Sequence, residues 1–241
     1  MNHVSQNSAT LKIGNMVPTP QASSPAPTET PIFKFVREDW TLFRSVGTLT
    51  QKAGAPANRL RRLVLKELAD NALDAGGNVL VGELPDGGYF VQDDGPGIGG
   101  TPEDIARMFS IARPLVSSKL WRLPTRGALG NGLRVVTGAV AASGGTLRVL
   151  TRNQLLELTL QDDGSTAVAA TPADFPRGTR VEISFGPNLP GDDDALRWAE
   201  LLVQMARGGE MHSISDYVLL TNFLYQELTL IGFKPGKTLA V

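Results

Sequence analysis

The sequence predicts an α+β fold in which one mixed β-sheet carries helices on one face. Helical patterns dominate the chain up to residue 75, whereas strand patterns gather after residue 145. The two patterns do not alternate as they would in βαβ units. Residues 1–31 hold five prolines among serine, threonine, asparagine and glutamine. Because this stretch has too little apolar surface for a core, we expect it to form a disordered tail.

The composition excludes several classes of site. The 241 residues carry a net charge of −1 and are 41% hydrophobic, which is ordinary for a globular chain with one large or two small domains. The absence of cysteine excludes disulfides and thiolate metal sites, and two histidines argue against a multi-histidine site. No apolar run approaches the roughly 20 residues of a membrane helix. Since a signal-peptide pattern is also missing, we expect a cytoplasmic protein without a membrane partner.

Caps, breakers and periodicity place the elements along the chain. Asp39 is a candidate helix cap, Gly-Ala-Pro at 54–56 separates two helices, and Thr101 followed by proline begins another. Helices are expected at 39–53, 58–75, 101 to before Pro114, 131–143 and 196–207. Strands are expected at 78–84 and 88–93, and in the runs TLRVLTR, LLELTLQ, STAVAAT and GTRVEISFG. The segment 113–126 carries four basic residues and no acid, which indicates a basic loop.

The helix over 58–75 carries a second, polar stripe beside its apolar one. Glu67, Asn71 and Asp74 recur at helical spacing and therefore lie on one face. A carboxylate and a carboxamide one turn apart can polarise a water and hold a divalent cation. A solvated outer face explains the same stripe equally well.

A glycine-rich segment, DDGPGIG, follows the second strand. Asp93 ends that strand with a carboxylate able to accept a hydrogen bond from an amine such as that of adenine, while Gly95 and Gly97 allow close backbone approach. The letters also satisfy G-x-G-x-x-G, the dinucleotide-binding pattern. That pattern needs an acidic residue about 20 positions later for the ribose, and none occurs between residues 105 and 156, so we reject it.

A second glycine-rich segment, RGALGNGL, directly precedes the helix at 131–143. Its backbone N–H groups and the helix N-terminus favour an anion, although an ordinary glycine turn is an equally good interpretation. No G-K-[ST] follows, so it is not a Walker loop. Basic side chains upstream, among them Lys119, have the length to reach a phosphate or are simply solvated. Gly178-Thr179 opens the last strand, where a threonine can touch a base.

In this order and spacing, KELADNALDA, DDGPGIG, RGALGNGL and RGTRVEI resemble the four motifs of the GHKL ATPase superfamily. Its members include gyrase-type and type VI topoisomerase B subunits, MutL-type repair proteins, the heat-shock chaperone and sensor histidine kinases. The resemblance spans residues 57 to 186, and the segment before the second glycine box is most similar to the type VI topoisomerase B subunit. It implies a Bergerat-type two-layer sandwich at 32–190, followed by a C-terminal helical extension at 191–241.

The resemblance also implies roles for individual residues. Glu67 matches the general base that activates water, and Asn71 matches the ligand of Mg²⁺. Asp93 matches the residue that reads the adenine amine, with Gly95, Gly97 and Thr179 beside the base. The phosphates of ATP would be held by Lys119, Gly127, Gly130, Asn131, Gly132 and Leu133. Asp74 matches a structural position.

The implied partners are ATP, a second copy in an ATP-dependent dimer, and a DNA-acting subunit. Type VI topoisomerase B subunits continue into a domain whose lysine reaches the γ-phosphate, and the residues up to Val241 leave no room for it. Either another chain supplies that lysine, or ATP binding without turnover is the signal. The third alternative is a histidine-kinase catalytic domain, against which His212 lacks an acidic neighbour.

Overall fold

The computed structural model describes residues 39–113 and 131–207. The α-helices are α1 (Val46–Ala53), α2 (Leu60–Ala75), α3 (Pro102–Met108), α4 (Gly132–Ser143) and α5 (Ala195–Ala206). The strands are β1 (Val79–Glu83), β2 (Tyr89–Asp93), β3 (Thr146–Thr151), β4 (Gln154–Leu160), β5 (Thr166–Pro172) and β6 (Thr179–Ser184). The six predicted strands and the predicted helices in these ranges are therefore confirmed as elements, except for the single helix expected over 39–53.

The six strands form one sheet in the order β1-β2-β6-β3-β4-β5. Every pairing in it is antiparallel, so the mixed sheet expected from the sequence was wrong in this detail. The physical reason is the position of β6, which enters between β2 and β3 and runs opposite to both. The α+β class itself is confirmed.

The sheet and the helices make a two-layer sandwich. Alternate residues of β2 and β6 are buried, and those between them are only half-buried, which is the pattern of strands covered on one face. On the covered face α2 packs against β1 and β2, α4 against β3 and β4, and α5 against β1. On the other face the Arg180 guanidinium stacks on the Phe90 ring at 3.8 Å and donates to Glu182 at 2.8 Å.

Helix α2 lies at the centre of the core. It packs against α4 and α5 as well as the sheet. Its buried apolar residues are Leu60, Val64, Leu65, Leu68, Ala69 and Ala72. The helix ends at Gly76, whose φ of +80° suits glycine, as the sequence predicted.

Local caps explain where the shorter helices begin. Thr101 and Asp104 form a reciprocal capping box at the start of α3. The single helix predicted over 39–53 is instead a 3₁₀ turn at Asp39–Phe43 followed by α1, because the Ser45 hydroxyl accepts the Thr48 N–H and starts a new helix. Asp39 is therefore not the cap of α1.

A buried ion pair joins α2 to the segment before α5. Arg62 donates to both carboxylate oxygens of Asp192, at 3.0 Å and 2.7 Å. The side chains are 5% and 4% exposed, so removing either partner would leave a buried charge to a more exposed and more distant counterion. That counterion is Arg59 at 3.7 Å from Asp192, or Asp194 at 3.4 Å from Arg62. In the part of the chain that the structure describes, no helix has the length and apolarity required to span a bilayer.

We predict that Arg62→Met lowers the free energy of unfolding by about 3 kcal/mol, because it removes both hydrogen bonds to the buried Asp192 carboxylate and leaves it to Arg59 at 3.7 Å. Arg107→Met serves as the control, since Arg107 pairs with Asp104 on the surface with 72% of its side chain exposed. That change should cost less than about 0.5 kcal/mol. Urea unfolding followed by circular dichroism measures both. Equal losses in the two variants would contradict the importance of the buried pair.

Candidate functional site

Three polar residues meet where β2 and β3 end and β6 begins, at the same edge of the covered face. Asp93 pairs in register with Thr179, and Thr179 pairs with Thr151 on its other side. All three side chains are buried. The Asp93 carboxylate accepts the N–H of Gly95 at 2.9 Å, which turns the DDGPGIG loop back over the strand end. The sequence-predicted residues Asp93, Gly95 and Thr179 are thus brought together.

Asp93 has an unusual electrostatic environment. Burial raises the pKa of its carboxyl group, hydrogen bonds from the N–H groups of Gly95 and Thr179 partly oppose this rise, and the neighbouring charge of Asp94 adds to it. Within residues 39–113 and 131–207, the donors that reach this carboxylate are backbone N–H groups. A buried acceptor of this kind is suited to a ligand that donates a hydrogen bond.

Thr151 is a functional candidate that sequence reasoning missed. Its hydroxyl donates to the Gly178 carbonyl at 3.1 Å and accepts the Ile98 N–H at 3.0 Å, so it fastens the glycine loop to the start of β6. Gly97 has a φ of +77°, and a Cβ there would lie 2.8 Å from the Thr151 hydroxyl. The position therefore requires glycine. The only sequence signal for Thr151 is that it ends a strand.

The glycine loop also contacts the C-terminal end of α2. A Cβ on Gly95 would lie 3.1 Å from the Ala75 carbonyl oxygen and 3.5 Å from its Cβ. The close approach of loop and helix at this point depends on the missing side chain. The end of α2 and the strand-end cluster therefore form one continuous wall.

Glu67 lies about two turns earlier on the same helix and faces the second glycine segment. Its carboxylate approaches Gly132 so closely that a Cβ on Gly132 would overlap Oε2. Gly132 is the first residue of α4, so the carboxylate lies at the end where backbone N–H groups are left over. On its other side the Glu67 Oε1 lies 3.9 Å from the Lys66 ammonium, which binds Asp70 at 3.0 Å.

Of the remaining predicted site residues, some lie within the described part of the chain and others lie outside it. Asn71 is exposed one turn after Glu67, and Leu133 is half-buried against the core. Asn131 precedes α4 and accepts a hydrogen bond from Arg134 at 3.1 Å, a contact that the sequence did not suggest. The predicted phosphate contacts Lys119, Gly127 and Gly130 lie outside the described residues, as does most of the basic loop.

The donor set for a cation is small. Among residues 39–113 and 131–207, no group of three or more histidine, cysteine, aspartate or glutamate side chains is arranged to hold a metal ion. Asn71 offers one carboxamide oxygen. Mg²⁺ commonly takes one or two protein oxygens and completes its shell with water and substrate phosphates, so this donor fits a magnesium–phosphate complex.

Comparisons with known proteins add little to this geometry. No protein-family model matches the chain, and no curated protein matches it. Among solved structures, the chain is similar to a crystal structure of the N-terminal domain of a DNA repair protein, with a TM-score of 0.33 and 16% identity. The match covers 70% of this chain and 42% of that one, so this chain spans less than half of that structure's length.

We predict opposite pH effects for the adjacent carboxylates Asp93 and Asp94. The raised pKa of Asp93 means that its contribution to stability is present below its unfolded-state pKa and is lost as pH rises through the folded-state value. Asp93→Asn should therefore gain stability over wild type at neutral pH, and the gain should vanish under acid. Hydrogen bonds from Asn78 lower the pKa of Asp94, so its stabilisation is present at neutral pH and lost as pH falls.

The measurement is urea unfolding between pH 3 and pH 7 on wild type, Asp93→Asn and the control Asp94→Asn, which should lose stability at neutral pH. Two variants that shift in the same direction across this range would contradict the assignment.

Proposed function

We propose that the chain is an ATP-binding module of the GHKL type that hydrolyses ATP with Mg²⁺. The observation that supports it best is the way one helix, α2, contacts both glycine-rich segments. Ala75 meets the first segment at Gly95, and Glu67 meets the second at Gly132. Eight residues of helix separate these contacts, or about 12 Å. A wall of this length suits an elongated ligand with different chemistry at its two ends.

The Asp93 end suits the adenine base. The buried carboxylate is an acceptor without a cationic partner among the contacts described for it, and the exocyclic amine of adenine is a donor of matching chemistry. Gly97 and Gly178 keep side chains away from the strand ends at positive φ, which leaves backbone surface for a flat ring. A guanine base presents a carbonyl oxygen at the corresponding position, so a carboxylate there would select against it.

The Glu67 end suits the phosphates. The first turn of α4 would direct its backbone N–H groups at the charge developing on the γ-phosphoryl group. Glu67 accepts a proton from the water that attacks the γ-phosphorus, and the bond to the β–γ bridging oxygen breaks to give ADP and phosphate. Asn71 would hold Mg²⁺, which when bound supplies neutralisation of the phosphate oxygens.

The partners proposed for this module follow from the same resemblance. ATP-driven closure would bring two copies together, and the dimer would control a DNA-acting subunit, as in the topoisomerase VI B type. Either of these partners can also supply a lysine to the γ-phosphate. Nucleotide binding without turnover is the second candidate, and the experiment below separates the two.

We predict that Glu67→Gln binds Mg·ATP with near wild-type affinity and loses turnover by about 10²–10⁴-fold, because the amide cannot accept the proton. Asp93→Asn should lose binding of Mg·ATP. Its amide NH₂ group would face the adenine amine, which is also a donor, or the amide would have to rotate so that its oxygen accepts instead. Calorimetry with Mg·ATP and a phosphate-release assay measure these outcomes. Glu157→Gln on the exposed face of β4 is the control and should leave both unchanged.

Binding without phosphate release in wild type would favour the regulator over the ATPase. Absence of binding in wild type would refute the proposal. Loss of binding in Glu67→Gln to the same extent as in Asp93→Asn would contradict the division into a base end and a phosphate end.

A further inference from the structure

Arg134 is a buried arginine in the first turn of α4, with 2% of its surface exposed. Its Nε donates to the Ile111 carbonyl at 2.7 Å, and its two terminal nitrogens donate to Asn131 at 3.1 Å and Asp39 at 2.6 Å. The guanidinium also lies over the Phe43 ring at 4.4 Å from the centroid. One side chain thus joins the 3₁₀ turn, the end of the α3 segment and the entry to α4.

This position is electrostatically unfavourable for an arginine on its own. A cation near a helix N-terminus opposes the helix dipole, and burial removes its hydration. Half-buried Arg113 adds a second positive charge nearby, and the pKa of Arg113 is lowered by burial and by the charge of Arg134. The Asp39 carboxylate compensates, and it is itself held by Lys52 at 2.7 Å.

Asp39 is adapted to this compensation. Burial would raise the pKa of its carboxyl group, but hydrogen bonds from Arg134 and Lys52 outweigh that effect and hold the pKa below its usual value. The carboxylate therefore stays charged at neutral pH. Asp39 lies far from α4 in sequence, so the network fixes an N-terminal turn to the helix that begins beside Glu67.

We propose that Arg134 is a positioning residue for the phosphate end of the site. Arg134 holds Asn131 and Gly132 against Glu67, and Asp39 holds Arg134. The inference rests on the proposed ATP-binding function. Arg134 does not touch the nucleotide in this scheme. It acts by fixing the backbone N–H groups at the start of α4, whose placement matters for phosphates and not for adenine.

The scheme predicts that the effect of losing Arg134 depends on the number of phosphates. In the full chain, Arg134→Met should weaken binding of Mg·ATP about tenfold and binding of adenosine less than about twofold. Asp39→Asn keeps the contacts of Arg134 with Ile111 and Asn131, so it should give an intermediate loss for Mg·ATP. Calorimetry with Mg·ATP, Mg·ADP and adenosine measures the three affinities.

Arg180→Met is the matched control. Arg180 also stacks on an aromatic ring and pairs with a carboxylate, but on the opposite face of the sheet. It should leave all three affinities unchanged. If Arg134→Met unfolds in a thermal melt, Asp39→Asn decides the question.

Equal losses for ATP and adenosine in the Arg134 or Asp39 variants would overturn the inference, because a purely structural role weakens both ligands alike. Unchanged affinity for Mg·ATP in both variants would overturn it as well. Failure of the proposed function is distinguishable, since wild type and Arg180→Met would then also bind none of the three ligands.

Discussion

The burial of α2 on three sides is the constraint on which the candidate site depends. The sheet, α4 and α5 enclose the helix, so its apolar residues fix both its position along its axis and its rotation. The polar stripe is then left on the remaining side, where Glu67 lies against Gly132 and Asn71 is exposed. A rotation of one residue, about 100°, would bury these groups and expose Leu68. Packing of the core therefore orients the candidate catalytic group.

The second constraint is the close approach of neighbouring groups to the backbone at three glycines. The missing side chain at Gly95 leaves room for the end of α2, and at Gly97 it leaves room for the hydroxyl of Thr151. At Gly132 it leaves room for the carboxylate of Glu67. At each place a side chain would separate two elements whose contact shapes the wall. Glycine loses more conformational entropy on folding than other residues, so this arrangement costs stability that the surrounding core must supply.

Local interactions explain what the sequence could predict. The Thr101 capping box spans three residues, and the end of α2 at Gly76 depends on one dihedral angle. The strand order, the hydrogen bonds of Thr151 and the Arg134 network could not be predicted in this way. Thr151 reaches Ile98 across 53 positions, and Arg134 reaches Asp39 across 95. No periodicity or turn chemistry reports contacts at such separations, because they exist only after the layers have packed.

The two ends of the candidate site carry opposite electrostatic characters, and this follows from the fold. At the end of β2, burial and the neighbouring Asp94 disfavour the charge of Asp93, and hydrogen bonds from backbone N–H groups oppose this only in part. At the start of α4, buried Arg134 lies near half-buried Arg113, and the Asp39 carboxylate compensates the charge of Arg134. In the proposed function, a nucleotide would bring an amine donor to the first end and phosphates to the second. Under that proposal the amine donor would offset part of the cost of burying the Asp93 carboxylate, so a group that lowers the stability of the free protein would favour the ligand.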